Sequence, residues 1–195
     1  KYMKKNRNNI PNILDCTLRD GSYAINFQFT SRDTVNICSK LDEAGLSHIE
    51  IGHGLGLGIK SPKYGIAFEN DATYIKSAIQ SVKQAKIGAF FIPDLSSKNI
   101  LKKAKELGLS FIRIGVDSNN ISSSLPSIRY ALKLGFEVHL NIMKTYAISL
   151  KELSKELKKI KEYNLESVYL VDSAGCMIPK QIEEYIKVIK DNNFE

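Results

Sequence analysis

The sequence contains no tryptophan, only three cysteines and three histidines, and no long apolar run. Without a continuous apolar segment of about 20 residues, a transmembrane helix is not expected. Cys16, Cys38 and Cys176 form neither a CxxC pair nor a metal-binding spacing, which excludes a disulfide framework and a zinc ribbon. Such sparse cysteine usage is typical of a reducing compartment, so we expect a cytoplasmic protein with no membrane partner.

Basic residues outnumber acidic ones by 28 to 21, which gives a net charge of +7. The excess is dispersed over predicted helix surfaces, as in Lys151-Glu152 and Lys155-Glu156, and no basic–aromatic stripe is present. This dispersal argues against a nucleic-acid partner. The basic N-terminus lacks the apolar core of a signal peptide. We expect residues 1–12 to form a polar extension and residues 13–195 to form one catalytic domain.

Short apolar runs alternate with amphipathic segments along the whole chain. Strands are predicted at 13–18, 47–52, 85–92, 110–116, 136–143 and 167–171, and helices at 31–44, 69–84, 97–107, 124–134, 150–163 and 179–191. Capping boxes begin at Thr30 and Ser149. Left-handed helix caps are predicted at Gly45, Gly108, Gly135 and Asn164. Strict alternation predicts parallel strands that are joined by right-handed crossovers.

The spacing of the predicted strands indicates the type of sheet. Successive strands begin about 31 residues apart, and eight such units would need about 250 residues, the usual size of a (β/α)8 TIM barrel. This chain holds about six units. An open doubly wound sheet is the alternative, but we expect a TIM barrel whose last two units are missing from this sequence.

Polar side chains follow almost every predicted strand, whereas the other ends of the strands adjoin helix caps. The residues at the strand ends are Arg19, Asp20, His53, Asp94, Asp117, Lys144, Asp172 and Ser173. In barrels of this kind the active site forms at the carboxyl ends of the strands. The asymmetry therefore predicts an enzyme.

Residue type alone leaves two interpretations for each candidate. Asp20 could bind a hard metal ion or pair with Arg19 in a turn. Arg19 could clamp a carboxylate and stabilise an enolate, or form an ion pair inside the barrel. His53 could contact substrate or serve a structural role. The segment Gly54–Gly58 lacks the spacing of a dinucleotide fingerprint, and we expect it to be a mobile active-site loop.

The segment Asp15-Cys16-Thr17-Leu18-Arg19-Asp20-Gly21 resembles the signature of the metal-dependent lyase and Claisen-condensing barrels. That superfamily includes hydroxymethylglutaryl-CoA lyase, isopropylmalate synthase and 4-hydroxy-2-oxovalerate aldolase. Gly52-His53-Gly54 and Asp172-Ser173-Ala174-Gly175 are most similar to the aldolase branch. The resemblance extends from about residue 12 to the end of the sequence.

The resemblance implies a lyase that cleaves or forms a C–C bond next to a small 2-oxo acid substrate and releases pyruvate and an aldehyde. It implies a divalent metal, Mn2+, with Asp20 as one ligand and a His-x-His pair expected beyond residue 195. Arg19 would stabilise the enolate, and Ser173 and His53 would contact the substrate beside Asp20. A homo-oligomer and an aldehyde dehydrogenase partner are further expectations of the resemblance.

One residue departs from the aldolase pattern. The aldolases carry a basic histidine two residues after the signature glycine, where this chain has Tyr23. We place Tyr23 at the catalytic position, although a phenol is a poorer base at neutral pH. An acyl-CoA Claisen-type lyase or synthase and a degenerate, non-catalytic barrel remain the alternatives. Because one of three metal ligands is present, we expect the 195-residue chain alone to be inactive.

Overall fold

The computed structural model describes residues 12–194, so the predicted N-terminal extension lies, except for Asn12, outside the described residues. Strands and helices alternate as the sequence predicts. The strands are β1 (Leu14–Asp15), β2 (His48–Ile51), β3 (Lys86–Phe91), β4 (Phe111–Asp117), β5 (Glu137–Met143) and β6 (Ser167–Leu170), and the helices are α1 (Ser31–Glu43), α2 (Asp71–Ser81), α3 (Asn99–Glu106), α4 (Leu125–Lys133), α5 (Leu150–Ile160) and α6 (Pro179–Asp191). Within this part of the chain no helix combines the length and apolar character needed to cross a bilayer.

All six strands lie in one parallel sheet in the order β1-β2-β3-β4-β5-β6. A doubly wound sheet reverses its strand order at a switch point, and this order has no reversal. The sequential order is that of a barrel, which confirms the predicted fold class.

The sheet is strongly curled. Neighbouring strands lie about 4.8 Å apart, so a flat sheet would separate β2 from β5 by about 14 Å. Side-chain atoms of His48 on β2 and of Glu137 and His139 on β5 nevertheless lie within 4.8 Å of one another. The described strands therefore form an incomplete, strongly curled barrel.

The two faces of the sheet differ in chemistry because successive side chains of a strand point to opposite sides. The outward residues are aliphatic and pack against the helices, and they include Ile49, Ile51, Ile87, Ile112, Ile114, Val138, Leu140 and Ile142. The inward residues are charged, polar or aromatic, and they include His48, Glu50, Phe90, Phe111, Arg113, His139 and Asn141.

Two phenylalanine rings on the inner face occupy space that neighbouring glycines leave open. A Cβ atom on Gly88 would lie 2.2 Å from the ring of Phe111, and one on Gly115 would lie 2.3 Å from the ring of Phe90. Each ring therefore fills the volume of a missing side chain on the next strand.

The predicted helix ends are largely confirmed. Thr30 and Ser149 form capping boxes, and Gly45, Gly108 and Gly135 have positive φ angles. Asn164 is not among the residues with positive φ, so its predicted left-handed cap is wrong. The chain instead passes from α5 into β6 through a hydrogen bond from the Leu165 amide to the Tyr163 carbonyl.

The first strand is shorter than the predicted 13–18. Only Leu14 and Asp15 pair with β2. The Asp15 carboxylate accepts hydrogen bonds from the amide and hydroxyl of Thr17, and the Cys16 carbonyl accepts from the amides of Arg19 and Asp20. These local bonds turn the chain away from the sheet. Arg19 and Asp20 are thereby presented on a turn above the strand end.

Candidate active site

A fully buried carboxylate, Glu50 on β2, lies between two arginines. Arg19 Nε donates to one oxygen at 2.6 Å, and Arg113 donates to both oxygens at 2.7 and 2.8 Å. Arg113 also donates to the Asn141 side chain at 3.2 Å, and both guanidinium groups lie over the Phe90 ring. The three side chains come from three separate segments of the chain, so this contact fixes their relative positions.

The charges of this group stabilise one another. Burial alone would raise the pKa of the Glu50 carboxyl, but the charges and hydrogen bonds of Arg113 and Arg19 outweigh burial and hold the pKa below its usual value. Burial likewise lowers the pKa of Arg113, and Glu50 reverses the effect. Burial raises the pKa of Cys16 to about 11, which keeps that neighbouring thiol protonated and excludes it as a nucleophile at neutral pH.

Two of the three guanidinium nitrogens of Arg19 are hydrogen-bonded within the described residues, and the third is not. Nε is bonded to Glu50, and Nη1 donates to Asp20 at 2.8 Å and to the Gly54 carbonyl at 3.2 Å. Among residues 12–194, no hydrogen bond involves Nη2 of Arg19. The fork is therefore oriented by the protein while one donor group remains available to a ligand.

Asp20 and Tyr23 accompany Arg19 in the 3-10 segment Asp20–Ile25. The Asp20 side chain is 66% exposed and pairs with Arg19, so both interpretations of this residue remain compatible with its position. The Tyr23 ring packs edge-on against Phe27 and is 47% exposed. Partial burial raises the pKa of Tyr23 above its usual value, with Arg19 opposing the shift.

His53 lies at the end of β2 but presents no free nitrogen. Its Nδ1 accepts from the Leu55 amide at 3.0 Å, its Nε2 lies 3.3 Å from the Gly65 carbonyl, and its ring stacks on Phe27. These contacts give His53 a structural role, because they hold the loop that follows β2. A contact between His53 and substrate stays a prediction.

Hydrogen bonds fix the position of the segment Gly54–Gly58. The amides of Leu55, Gly56, Leu57 and Gly58 donate to His53 Nδ1, the His53 carbonyl, the Phe90 carbonyl and Asp71 respectively. Leu57 is buried in the core. These contacts differ from those of the mobile loop we expected, and they engage the four amides that follow Gly54, which are therefore not available to bind a phosphate.

Ser173 connects the loops that follow β5 and β6. Its hydroxyl accepts a hydrogen bond from the Lys144 amide at 3.0 Å, and Lys144 forms an ion pair with Asp117 at 2.8 Å. Ser173 is exposed. The fold thus brings Arg19, Asp20, Tyr23, His53 and Ser173 to the same end of the sheet, the end formed by the carboxyl termini of the strands.

Three residues that organise this site were missed at the sequence level: Glu50, Arg113 and Asn141. Each is flanked by aliphatic residues in a strand, as in Ile49-Glu50-Ile51 and Ile112-Arg113-Ile114. A polar residue at every second position of a buried parallel strand marks the inner face of a barrel. That alternation was the available signal.

Asp20 alone does not make a metal site. Its carboxylate is a suitable oxygen ligand for a hard cation. Within residues 12–194, however, one group of three histidine, cysteine or acidic side chains could hold a metal, and that group consists of His48, Glu137 and His139. His48 and Glu137 are the first residues of β2 and β5, so this group lies at the end opposite Asp20.

Comparison with known proteins gives consistent matches. A sequence profile of the HMGL-like family matches residues 10–193. A 4-hydroxy-2-oxovalerate aldolase of Bacillus cereus (strain ATCC 10987 / NRS 248) is 32% identical over 190 residues, 97% of this chain and 56% of the relative. One from Geobacillus genomosp. 3 is 35% identical over 178 residues, 91% of this chain and 53% of the relative. The chain spans about half the length of these curated relatives.

Solved structures with the same fold include enzyme barrels. The N-terminal domain of a proposed aldolase from Bacteroides vulgatus has a TM-score of 0.76 at 25% identity. The match covers 93% of this chain and 60% of the Bacteroides chain. The carboxyl transferase domain of Rhizobium etli pyruvate carboxylase, solved with pyruvate and biocytin, has a TM-score of 0.73 at 13% identity, over 92% of this chain and 33% of that chain. The second likeness concerns the fold alone.

Proposed function

We propose, since the chain belongs to the HMGL-like family, that the intact protein is an aldolase-type carbon–carbon lyase acting on a 4-hydroxy-2-oxo acid. In the cleavage direction the 4-hydroxyl proton is removed, the C3–C4 bond breaks and an aldehyde leaves. The electron pair of that bond forms an enolate, which is protonated to pyruvate. The family implies a divalent metal, and we propose Mn2+ with Asp20 as one ligand; when bound, this ion polarises the 2-oxo group.

The observation that carries the proposal is the geometry of Arg19. Glu50 and the Gly54 carbonyl fix two edges of the guanidinium, and Nη2 has no partner within residues 12–194. A preoriented donor of this kind stabilises a developing enolate oxygen without reorganisation during the reaction. Arg113 acts through Glu50 and keeps that carboxylate ionised, so it is a positioning residue.

Tyr23 is proposed as the group that exchanges a proton with the 4-hydroxyl. Because its pKa is raised, the neutral phenol dominates at pH 7. The neutral phenol can donate a proton to the alkoxide that forms when an enolate adds to an aldehyde. Cleavage requires the scarce phenolate as base. Tyr23 thus supports both directions but makes cleavage dependent on high pH.

A substrate contact of Ser173 and a loop-positioning role of His53 are further parts of the proposal. The Ser173 hydroxyl is exposed at the same strand end, where a substrate carboxylate would have access to it. His53 takes part through the 53–58 loop, whose Gly54 carbonyl binds Arg19. The cytoplasmic location, the homo-oligomer and the aldehyde dehydrogenase partner stay predictions.

Pyruvate release by the intact protein tests the function. The assay supplies 4-hydroxy-2-oxovalerate and Mn2+ and couples pyruvate to lactate dehydrogenase. Arg19→Ala should lower kcat by about 10² to 10³, the usual effect of removing one preoriented donor. Arg19→Lys should recover little of this loss, because lysine lacks the planar fork.

A matched control is Arg129→Ala, which removes an exposed arginine of α4 and should leave the rate unchanged. Full activity of Arg19→Ala would contradict the proposal. Activity with an acyl-CoA and none with the 2-oxo acid would favour the Claisen-type alternative, for which the replacement of the histidine by Tyr23 is the supporting observation. No turnover of either substrate would favour a non-catalytic barrel.

A further inference from the structure

Three potential metal ligands meet inside the curled sheet at the end opposite Arg19 and Asp20. The ligand atoms of His48, Glu137 and His139 all lie within 4.8 Å of one another. We propose that these three side chains form a metal site, separate from the site at Asp20, that binds a borderline ion such as Zn2+.

The atoms that would bind the ion are the ones the protein leaves unpaired. His48 Nε2, Glu137 Oε2 and His139 Nε2 are buried and have no hydrogen-bond partner in the described part of the chain. The His139 side chain belongs to a residue that is only 4% exposed. Buried polar atoms without partners are uncommon and costly, so three of them in one cluster indicate a ligand.

The distances suit an ion better than direct pairing. His48 Nε2 and Glu137 Oε2 are 3.6 Å apart, which is too long for a hydrogen bond. Four ligands around Zn2+ at about 2.05 Å would lie about 3.3 Å from one another. A contraction of a few tenths of an ångström would close this pair onto an ion, and a movement of up to about 1.5 Å would bring in the third ligand.

Each ligand is oriented by a second contact on its remaining polar atom. His48 Nδ1 lies 2.9 Å from the Ser47 hydroxyl, and His139 Nδ1 lies 2.7 Å from the Ser167 hydroxyl. Lys86 donates to Glu137 Oε1 at 2.5 Å and leaves Oε2 free. A hydrogen bond on the far side of each ligand is the usual arrangement around bound metals, because it fixes the tautomer and the direction of the lone pair.

The ligand set indicates which ions the site would prefer. Two imidazole nitrogens and one carboxylate oxygen favour Zn2+, Co2+ or Ni2+ over Mg2+ or Ca2+, which prefer oxygen ligands.

A cavity of about 350 Å³ adjoins the site and is lined by His48, His139, Ser167, Leu14 and Tyr169, among others. It lies between the two edge strands of the sheet, β1 and β6. Because the ligands lie on β2 and β5, a bound ion would connect two strands that are separated by two others.

Zinc titration of the chelator-treated intact protein tests the site. Calorimetry should show a tightly bound Zn2+ that is retained in Asp20→Asn and that Glu137→Gln and His48→Gln each weaken by at least about 10-fold, and Ser167→Ala should weaken its binding by about 10- to 100-fold. With Co2+ in place of Zn2+, the visible absorption of a four-coordinate ion should appear and should be lost in the same variants. Glu166→Gln, which removes an exposed carboxylate of the same cavity, is the matched control and should bind normally.

His48 and Glu137 are chosen because both side chains are partly exposed, and circular dichroism checks that the variants fold. Absence of zinc binding by the unaltered protein would overturn the proposal. So would equal affinity in the His48→Gln, Glu137→Gln and unaltered proteins. Loss of binding in Asp20→Asn with retention in Glu137→Gln would assign the ion to the opposite end of the sheet and would also overturn it.

Discussion

Replacing Glu50 with glutamine removes the negative charge that Arg19 and Arg113 share. The carboxylate is 0% exposed and accepts three hydrogen bonds from the two guanidinium groups. The glutamine amide would turn one acceptor into a donor that faces another donor. Arg113, only 7% exposed, would then be a buried cation without a counter-charge.

Breaking a buried ion pair by removing one partner costs about 3 to 5 kcal/mol, so we expect a loss of this size in the free energy of unfolding. For a urea slope of about 2 kcal/mol per molar, the unfolding midpoint should fall by about 2 M. Urea titration followed by circular dichroism measures this shift. Glu183→Gln, on the exposed face of α6, should change stability by less than about 0.5 kcal/mol.

The same residue should make stability depend on pH. Since the folded-state pKa of Glu50 is lowered, its contribution is present above the unfolded pKa of about 4.3 and is lost as pH falls through the folded pKa. Glu50→Gln should abolish that part of the acid dependence. If the variant lost less than about 1 kcal/mol and kept the acid dependence of the unaltered protein, the account of this buried group would be refuted.

Two further predictions concern Tyr23. The rate of aldol cleavage should rise about tenfold per pH unit from neutrality towards the raised pKa of Tyr23. Tyr23→Phe should remove this pH dependence. A flat pH profile in the unaltered protein would exclude Tyr23 as the base. Gly54→Ala would place a Cβ atom 2.5 Å from the Tyr23 ring, so the ring must move aside. Because Tyr23 is half-exposed, the movement should cost little stability, but the displaced ring should lower kcat by up to about 10²-fold. Gly21→Ala, whose Cβ would meet only Thr17 at 3.8 Å, is its control, and equal activity of the two variants would contradict the steric argument.

Much of the fold was predictable because its signals are local. The N-cap of α1, Thr30, forms its capping box with Asp33 only three residues away, and α6 begins at Pro179 and ends at Asp191, as predicted. β1 was overestimated because the side chain of Asp15 competes for the backbone amide of Thr17, an interaction that apolar patterning does not detect.

The candidate site was predictable only in part. Arg19 and Asp20 belong to one short segment, so their pairing is visible in the sequence. The contact between Glu50 and Arg113 joins residues that are 63 positions apart, and it depends on the curl of the sheet. Spacing rules describe ligands on one strand or helix, so they also miss a cluster that joins His48 to Glu137 and His139.

The two glycine–phenylalanine pairs on the inner face imply how this protein can vary. Phe111 fills the space of a side chain at Gly88, and Phe90 fills that at Gly115. A larger residue at either glycine requires a smaller ring on the neighbouring strand, so substitutions at the two members of a pair should occur together. Because the Phe90 ring also lies beneath both guanidinium groups, exchange at Gly115 would alter the surface against which Arg19 rests. A change at Gly115 would therefore act on the Arg19 site without replacing any residue that bonds to Arg19.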